Sequence, residues 1–460
     1  MCRQQLSREC QILGFGQETL RRRRIYVGSC CTSRYLANRS VSIRLHACWK
    51  LTKSTEQKLI MPKLAHRATE VRPSPTMTIS ARAAEMKRQG KDVIPFSLGE
   101  PDFHTPRNIK EAGMKAITSD FTKYTAADGY GPLKKAIADK MLRDSGIAYL
   151  PAQIVIGSGA KVILLASLYT IVDAGNEVII PAPYWVTYPD HVEMVGGVPV
   201  IVECPEASGF KLTPKLLRAS LTEKTRAIIF NSPNNPSGAV YSADEIRALA
   251  EVLKQRPDVW ILTDELYEHI TFDGVKAPSF VEVMPDMADR VIAVNGFSKG
   301  YVMTGWRLGF AAGPLDVIKS IGDLLSSMTG SPSSIAQAAG IEALAGDQAF
   351  MDENRRIFQE RRDVVIARIA EIPGISAVRP SGTFYVYINC GEWLGRETAA
   401  GRILKKDVDV VAALLEEAEV AAVPGEVFGL SPFFRVSIAL ELDQIQKGLD
   451  RIHKFALELR

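Results

Sequence analysis

Val294-Asn-Gly-Phe-Ser-Lys-Gly-Tyr-Val-Met-Thr-Gly-Trp-Arg-Leu-Gly309 is the stretch on which the reading of this chain depends. The apolar run leading into it, Val291–Val294, is short and reads as a buried strand. Small and polar residues end the strand, and Ser298 and Lys299 follow at its mouth. Arg307 comes eight residues later, between Trp306 and a second apolar segment, Leu308–Ala312. A lysine at a strand mouth can be desolvated, which lowers its pKa and frees the amine to attack a carbonyl. An arginine close by can fork onto a phosphate. Taken alone, the lysine reads better as an exposed loop residue and the arginine as a structural one.

The surrounding sequence alternates between strands and helices. Strand-like runs occur at Gln153–Ile156, Glu177–Ile180, Pro199–Val202, Ala227–Phe230, Val259–Thr263, Val291–Val294 and Leu308–Ala311. Helical stretches separate several of them, notably Ala160–Asp173 and Ser242–Gln255. Apolar strands alternating with helices predict an α/β sheet, mostly parallel and covered on both faces. Beyond about residue 345 the pattern becomes α+β: a long charged helix over 348–371, runs at Ala377–Arg379 and Gly382–Asn389, a helix over 407–418, strands at Ala421–Val423 and Phe434–Ala439, and a last helix over 442–458. On this reading residues 106–345 form a large domain. Residues 61–105 and 346–460 form a smaller one, which the run Val93–Leu98 joins.

Open α/β sheets bind ligands beyond the carboxyl ends of their strands. Past the first strand come Gly157, Ser158, Gly159, Ala160 and Lys161, opening a helix whose first amides can meet a phosphate. Past the second comes Trp185, a flat ring that reads as a stacking platform or as core. Past the fourth comes Asn231-Ser-Pro-Asn-Asn-Pro-Ser-Gly238, in which Asn235 can donate to a ring oxygen. Past the fifth come Asp264 and Tyr267, a carboxylate for a pyridinium nitrogen and a phenol for its oxygen. Alone, Asp264 reads as a helix N-cap. Together with Ser298 and Lys299, five strand ends supply what pyridoxal 5′-phosphate needs.

These residues also carry a family resemblance. From about Pro62 to Arg460 the chain resembles the class I aminotransferases of fold type I, in the bacterial and plastid aspartate aminotransferase subgroup. The matching stretches are Leu98-Gly-Glu-Pro-Asp-Phe103, Tyr124-Thr-Ala-Ala-Asp-Gly129, Gly157-Ser-Gly-Ala-Lys161, Pro183-Tyr-Trp185, Asn231–Gly238, Thr263-Asp-Glu-Leu-Tyr267, Ser298-Lys299, Met303–Gly309 and Arg435-Val-Ser437. The resemblance implies a large domain with a mostly parallel seven-stranded sheet between helices, plus a smaller α+β domain. It implies that Lys299 carries the cofactor as a Schiff base and shuttles a proton. Asp264 would pair the ring nitrogen, Tyr267 and Asn235 its oxygen, and Trp185 would stack on the ring. The phosphate would meet Gly159, Ala160, Ser298, Arg307 and Tyr124 of a second subunit, so that the homodimer is the active unit. Arg435 would grip the substrate α-carboxylate with Asn231 and the Gly99 backbone beside it, while Lys161 and Thr76 would hold a distal carboxylate. The substrates implied are aspartate or glutamate with 2-oxo acids, and prephenate. Alternatives are transfer from alanine, aromatic or a broad range of amino acids, and β-elimination. Two departures bear on this: Gly296 stands where many relatives have serine, and Ser437-Ile-Ala-Leu440 where relatives often read Ser-Tyr-Ala-Thr.

Composition fits a globular enzyme, with 46% hydrophobic and 23% charged residues among 460. No apolar run approaches the roughly 20 residues of a membrane span. The six histidines are scattered without metal-ligand spacing. Residues 1–60 differ: they hold 12 Lys/Arg against three acids, and five of the seven cysteines. That leader reads as an organellar transit peptide, plastid or mitochondrial, or as an upstream extension ahead of Met61. With the extension reading the enzyme is cytoplasmic. A basic run attracts nucleic acid, but no helix-turn-helix pattern accompanies it, and neither nucleic acid nor membrane is expected as a partner.

Overall fold

The computed structural model describes Leu64, Ala65 and residues 75–460. The compact unit spans Ala65–Arg460. The expectations for residues 1–60 and for the side chain of Thr76 lie outside the described residues.

Seven strands form one sheet: β1 (Ile154–Gly157), β2 (Glu177–Ala182), β3 (Val198–Glu203), β4 (Thr225–Asn231), β5 (Trp260–Asp264), β6 (Val291–Gly296) and β7 (Gly309–Ala312). Their order is β1-β7-β6-β5-β4-β2-β3. Only β7 runs against its neighbours, pairing antiparallel with both β1 and β6. All the other neighbouring pairs are parallel. The central strands are almost wholly buried, with every residue of β1, β6 and β7 inside, whereas the edge strand β3 buries only Val202. Successive residues enter different apolar clusters. Val178 and Ile180 join Leu164 and Leu168 of the helix Ala160–Ile171. Ile179 and Ile228 join Leu249 and Leu253 of the helix Ala243–Leu253. The period of two thus sends alternate side chains to opposite faces, each covered by helices.

Helix boundaries follow local chemistry. Ser242 caps Ala243–Leu253: its hydroxyl accepts from Glu245 N at 3.2 Å, and the Glu245 carboxylate accepts from Ser242 N at 2.8 Å. This is a capping box. Ile246, Leu249, Ala250 and Leu253 then repeat at helical spacing and are buried. Among the helices not individually expected from the sequence are Leu315–Met328 and Ser334–Ala345. The second is rich in alanine and glycine and buries Ala336, Ala339, Gly340 and Ala343. Small residues weaken its apolar stripe, and they let it pack closely. A Cβ on Gly340 would come within 2.6 Å of Leu308 Cδ2.

A second, antiparallel sheet is made by β8 (Ser376–Ala377), β9 (Tyr385–Asn389), β10 (Val423–Pro424) and β11 (Phe433–Ser437), in the order β10-β11-β9-β8. Its strands start or end one to three residues from the expected bounds. The run 93–98 meets it as expected: Ser437 N donates to Phe96 O at 2.8 Å, and Ile94 bridges Val420. The helices Ala349–Ile369 and Leu442–Glu458 bring Phe358, Val365, Leu449 and Ile452 to its apolar cluster. Buried Arg362 is tied to Asp273 by paired bonds of 2.7 and 2.8 Å. No helix among the described residues is long and apolar enough to cross a membrane.

Gly309 opens β7 against the turn that follows β1. A Cβ there would lie 2.5 Å from Ala160 N and 2.8 Å from the Gly159 carbonyl carbon. Backbone atoms cannot yield as a flexible side chain does. Gly309→Ala is therefore expected to lower stability by about 1–3 kcal/mol, the usual range for overpacking, and to disturb the Gly159–Ala160 turn. Thermal unfolding followed by circular dichroism measures the first effect. Anion binding to the cofactor-free protein measures the second.

Candidate active site

The sheet topology brings the expected groups to one edge. Strands β1, β2, β4, β5 and β6 run the same way, so their carboxyl ends share that edge. Because β7 is reversed, its beginning lies there too, and Arg307 precedes it by two residues.

Gly159 stands just before the helix Ala160–Ile171, with φ of +99°. A Cβ at that position would come within 2.5 Å of Arg307 Nη2. Glycine therefore lets the guanidinium lie against the first turn of the helix, where unpaired amides and the helix dipole favour an anion. Arg307 itself has φ of +55° and donates to Thr304 O at 3.1 Å. A non-glycine residue in that region costs about 1–2 kcal/mol, and such strain persists where a site demands it. Ser298 is buried at the end of β6. A cleft of about 870 Å³ reaches this cradle, lined by Ser158 and Arg307 and by Glu100 and Thr304 on its other side.

The Lys299 amine donates to Gly99 O. Burial pulls its pKa down to about 8; Arg435 and Arg307 push the same way, while Glu100 and Asp264 oppose. Asp264 is buried, and Tyr188 donates to its Oδ2 at 2.6 Å. Burial raises the pKa of this carboxyl, and the bonds from Tyr188 and from Leu266 N oppose the rise. The Tyr267 hydroxyl lies 3.3 Å from that of Tyr385. Burial holds the Tyr267 phenol well above its ordinary pKa, so it stays a neutral donor. Trp185 packs edge-on against Tyr188 at 5.4 Å, and the Lys161 amine lies 5.0 Å from the Trp185 ring centre. Desolvation and the Arg307 charge lower the Lys161 pKa.

Arg435 comes from β11 of the second sheet. It is 2% exposed, donates to Asn235 Oδ1 at 2.9 Å and Ser97 O at 3.3 Å, and lies over the Tyr385 ring at 4.1 Å. Its Nε has no hydrogen-bond partner, and it is in no salt bridge among the described residues. A buried guanidinium without an anion is incomplete.

Lys299, Asp264, Tyr267, Ser298, Arg307, Gly159, Ala160, Trp185, Asn235, Lys161 and Arg435 thus all lie along one edge and its facing sheet. The Asn231 side chain meets the neighbouring main chain. Its amide donates to Asp264 O at 2.9 Å, and its oxygen accepts from Asn235 N at 3.0 Å, so it braces the loop. Gly99 offers the carbonyl that Lys299 holds. Tyr124 is 97% exposed, away from these contacts. Sequence reading missed Tyr188, Tyr385 and His191. Tyr188 follows Trp185 by three residues, within reach of the strand-end rule. Tyr385 had no signal. Burial and the neighbouring Lys161 hold the His191 imidazole down to about 4, which keeps it neutral beside Trp185.

The donor set fits pyridoxal phosphate: a depressed amine, a buried carboxylate, a neutral phenol and an anion cradle that only glycine permits. In the cofactor-free protein the Lys299 amine should react with an amine-directed aldehyde or sulfonate reagent with a midpoint near pH 8. The rate should rise with pH, because the neutral amine is the nucleophile. Peptide mapping of labelled protein between pH 6 and 10 reads it against exposed lysines.

The chain is similar to known proteins. The family model for aminotransferase class I and II matches residues 91–452. An aspartate/prephenate aminotransferase of Cereibacter sphaeroides is 45% identical over 399 residues, covering 87% of this chain and all of the relative. The crystal structure of an aspartate aminotransferase from Rhizobium meliloti superposes with a TM-score of 0.85 at 45% identity, over 87% of this chain and all of that one. The aspartate aminotransferase of Thermus thermophilus with maleate gives 0.80 at 37% identity, over 86% of this chain and all of that one. With an aligned family spanning both sheets and the pocket between them, the chain belongs to the class I and II aminotransferases and is an enzyme that depends on pyridoxal 5′-phosphate.

Proposed function

We propose that this enzyme moves the amino group of aspartate or glutamate to 2-oxo acids by a ping-pong reaction, with prephenate as a further acceptor. One observation carries the dicarboxylate reading. Two cations, Arg435 and Lys161, form no salt bridge among the described residues; Arg435 lies close enough to Lys299, and Lys161 to Arg307, to feel the like charge, with Asp190 the acid nearest Lys161. Arg435 is held by Asn235 and an aromatic floor, ready to fork onto an α-carboxylate. Lys161 lies over Trp185 in the first turn of a helix, where a cation opposes the dipole. A second substrate carboxylate would relieve that. Maleate, the ligand named with the Thermus relative, is a four-carbon dicarboxylate. The names of the relatives support aspartate and prephenate.

The cofactor supplies an electron sink for the charge that develops at the substrate α-carbon. Gly159, Ala160, Ser298 and Arg307 would hold its phosphate, and Trp185 would stack on its ring. Asp264, braced by Tyr188, would keep a proton at the ring nitrogen. Tyr267 and Asn235 would hold the ring oxygen. Lys299, with an amine that is neutral in an appreciable fraction near neutral pH, takes the proton from the α-carbon and returns it. Asn231 keeps the Asn235 loop in register, and the Gly99 carbonyl orients the Lys299 amine. Thr76 is kept as a candidate for the distal carboxylate.

We assign residues 106–345 to a large domain and 61–105 with 346–460 to a small one, whose closure would exclude water. The two separate sheets support this division, while Tyr267, Ile270 and Phe272 of the large domain pack into the apolar cluster of the second sheet. We also assign the active unit as a homodimer, with Tyr124 reaching the phosphate of the partner subunit. Its 97% exposure on a single chain supports that. The enzyme is assigned to the cytoplasm, in keeping with bacterial relatives. A plastid or mitochondrial address is the alternative carried by residues 1–60.

Absorbance changes of single half-reactions with aspartate, glutamate, alanine and phenylalanine test the reading. Fast conversion by the two acids supports it, and faster conversion by alanine or phenylalanine removes the assigned role of Lys161. Lys161→Ala should raise KM for aspartate about 10-fold or more, the worth of one charge-assisted hydrogen bond, and leave alanine unchanged. Tyr188→Phe removes the 2.6 Å bond to Asp264. It should lower kcat roughly 10-fold with the circular dichroism spectrum unaltered.

A further inference from the structure

The turn after β5 carries two kinds of residue. Asp264 lies close enough to Lys299, and Tyr267 to Arg435, to feel their charges, and the two acids between and after them, Glu265 and Glu268, enter a buried charged cluster. Glu268 accepts from Lys140 Nζ at 2.7 Å and Asn295 Nδ2 at 2.8 Å, with His269 Nε2 at 3.2 Å. Lys140 is 2% exposed and also reaches Asp144 at 3.3 Å. Glu265 accepts from Thr263 Oγ1 at 2.9 Å and Ser279 Oγ at 2.8 Å. Burial alone would push the Glu268 carboxyl up, but the Lys140 charge beside it holds it well below its ordinary range. Burial raises Glu265 to about 7.

Apolar residues of the same volume commonly stabilise a core as well as a buried ion pair does. What this cluster adds is connection. Asn295 precedes Lys299 by four residues on β6, and its oxygen also accepts from Gly296 N at 2.7 Å. Glu268 therefore ties the turn that bears Tyr267 to the strand that leads to Lys299. Lys140, in the helix Gly131–Ser145, anchors Glu268 from the other side. His269 adds a second tie. It packs edge-on against Tyr301 at 5.3 Å, and a Cβ on Gly300 would come within 2.8 Å of its ring. The residues directly after Lys299 are thus pressed against the residue directly after Glu268. The main chain closes the turn, with Glu268 N donating to Glu265 O at 3.0 Å and Ile270 N to Tyr267 O at 2.8 Å.

We propose that the Lys140–Glu268–Asn295 cluster sets the position of the Tyr267 hydroxyl relative to the Lys299 amine, and that Glu268 is a positioning residue for the transamination. This rests on the assignment of Tyr267 and Lys299 to the cofactor. Geometry errors of about 1 Å at such a site cost roughly 100-fold in rate, so a rigid link between the two segments has a direct use.

The test is the pH titration of visible absorbance in the cofactor-loaded enzyme, for wild type, Tyr267→Phe, Glu268→Gln and the double variant. Glu268→Gln should shift the midpoint by about half a unit or more, in the direction that Tyr267→Phe gives. The double variant should match Tyr267→Phe alone. Asp273→Asn, which loosens buried Arg362 elsewhere, should lower the thermal midpoint and leave the titration in place. A Glu268→Gln titration at the wild-type midpoint, with only lowered thermal stability, would overturn the inference while the Tyr267 assignment stands. A Tyr267→Phe titration at the wild-type midpoint would overturn both. Should Glu268→Gln not accumulate as folded protein, Glu268→Asp keeps the charge, draws it back from Asn295, and is read by the same criteria.

Discussion

One strand runs the wrong way, and the pocket depends on it. In a sheet of seven parallel strands, the residue before a strand would lie at the edge opposite the carboxyl ends. Because β7 is antiparallel to β1 and β6, Arg307 arrives where β1 delivers Gly159 and β6 delivers Lys299. The contact is tight enough to dictate sequence. Gly159 has no room for a Cβ beside the guanidinium, and Gly309 has none beside Ala160 N. Two glycines and a strained arginine therefore follow from one choice of strand direction.

The same edge concentrates charge without pairing it. Lys299, Arg307, Arg435 and Lys161 gather near one pocket, and Asp264 is the buried acid that faces them. Burial lowers the pKa of Lys299, Lys161 and Arg435 and raises that of Asp264, so each charged form is held at a disadvantage. Anionic phosphate and carboxylates would repair this imbalance. Binding and catalysis thereby draw on the same source: free energy left unrealised in the empty pocket becomes affinity for anions, and the depressed lysine is ready to move protons. Behind the pocket the opposite rule holds. Lys140, Glu268 and Asn295 are fully partnered, and they hold the pocket-facing residues from outside.

Much of this was legible in the linear chain, for identifiable reasons. The strands announced themselves because strands buried on both faces must be apolar throughout, and the exposed edge strand β3 is apolar as well. Lys299, Asp264, Asn235 and Tyr267 could be named because strand ends of an open sheet are where ligands sit. Strand bounds slipped by one to three residues, since apolar periodicity does not mark where pairing stops. The helix Ser334–Ala345 escaped because close packing favours small residues, which blur an apolar stripe. The hydrogen bonds by which Asn231 braces its own loop could not be read from spacing. Tyr385 and Lys140 were invisible: neither neighbours a strand end of the large sheet.

By itself the sequence determined the alternation that makes the sheet, the apolar segments that bury it, the small residues of the phosphate turn and the reactive groups at the strand ends. These are local properties, written in spacing and side-chain chemistry. Tertiary structure alone decided which groups meet. It reversed β7, brought Arg435 from a second sheet to Asn235, set Tyr188 on Asp264 and tied Glu268 to Asn295 and Lys140. Those contacts join residues far apart in the chain, and their existence depends on burial and strand direction, quantities that no stretch of sequence carries alone.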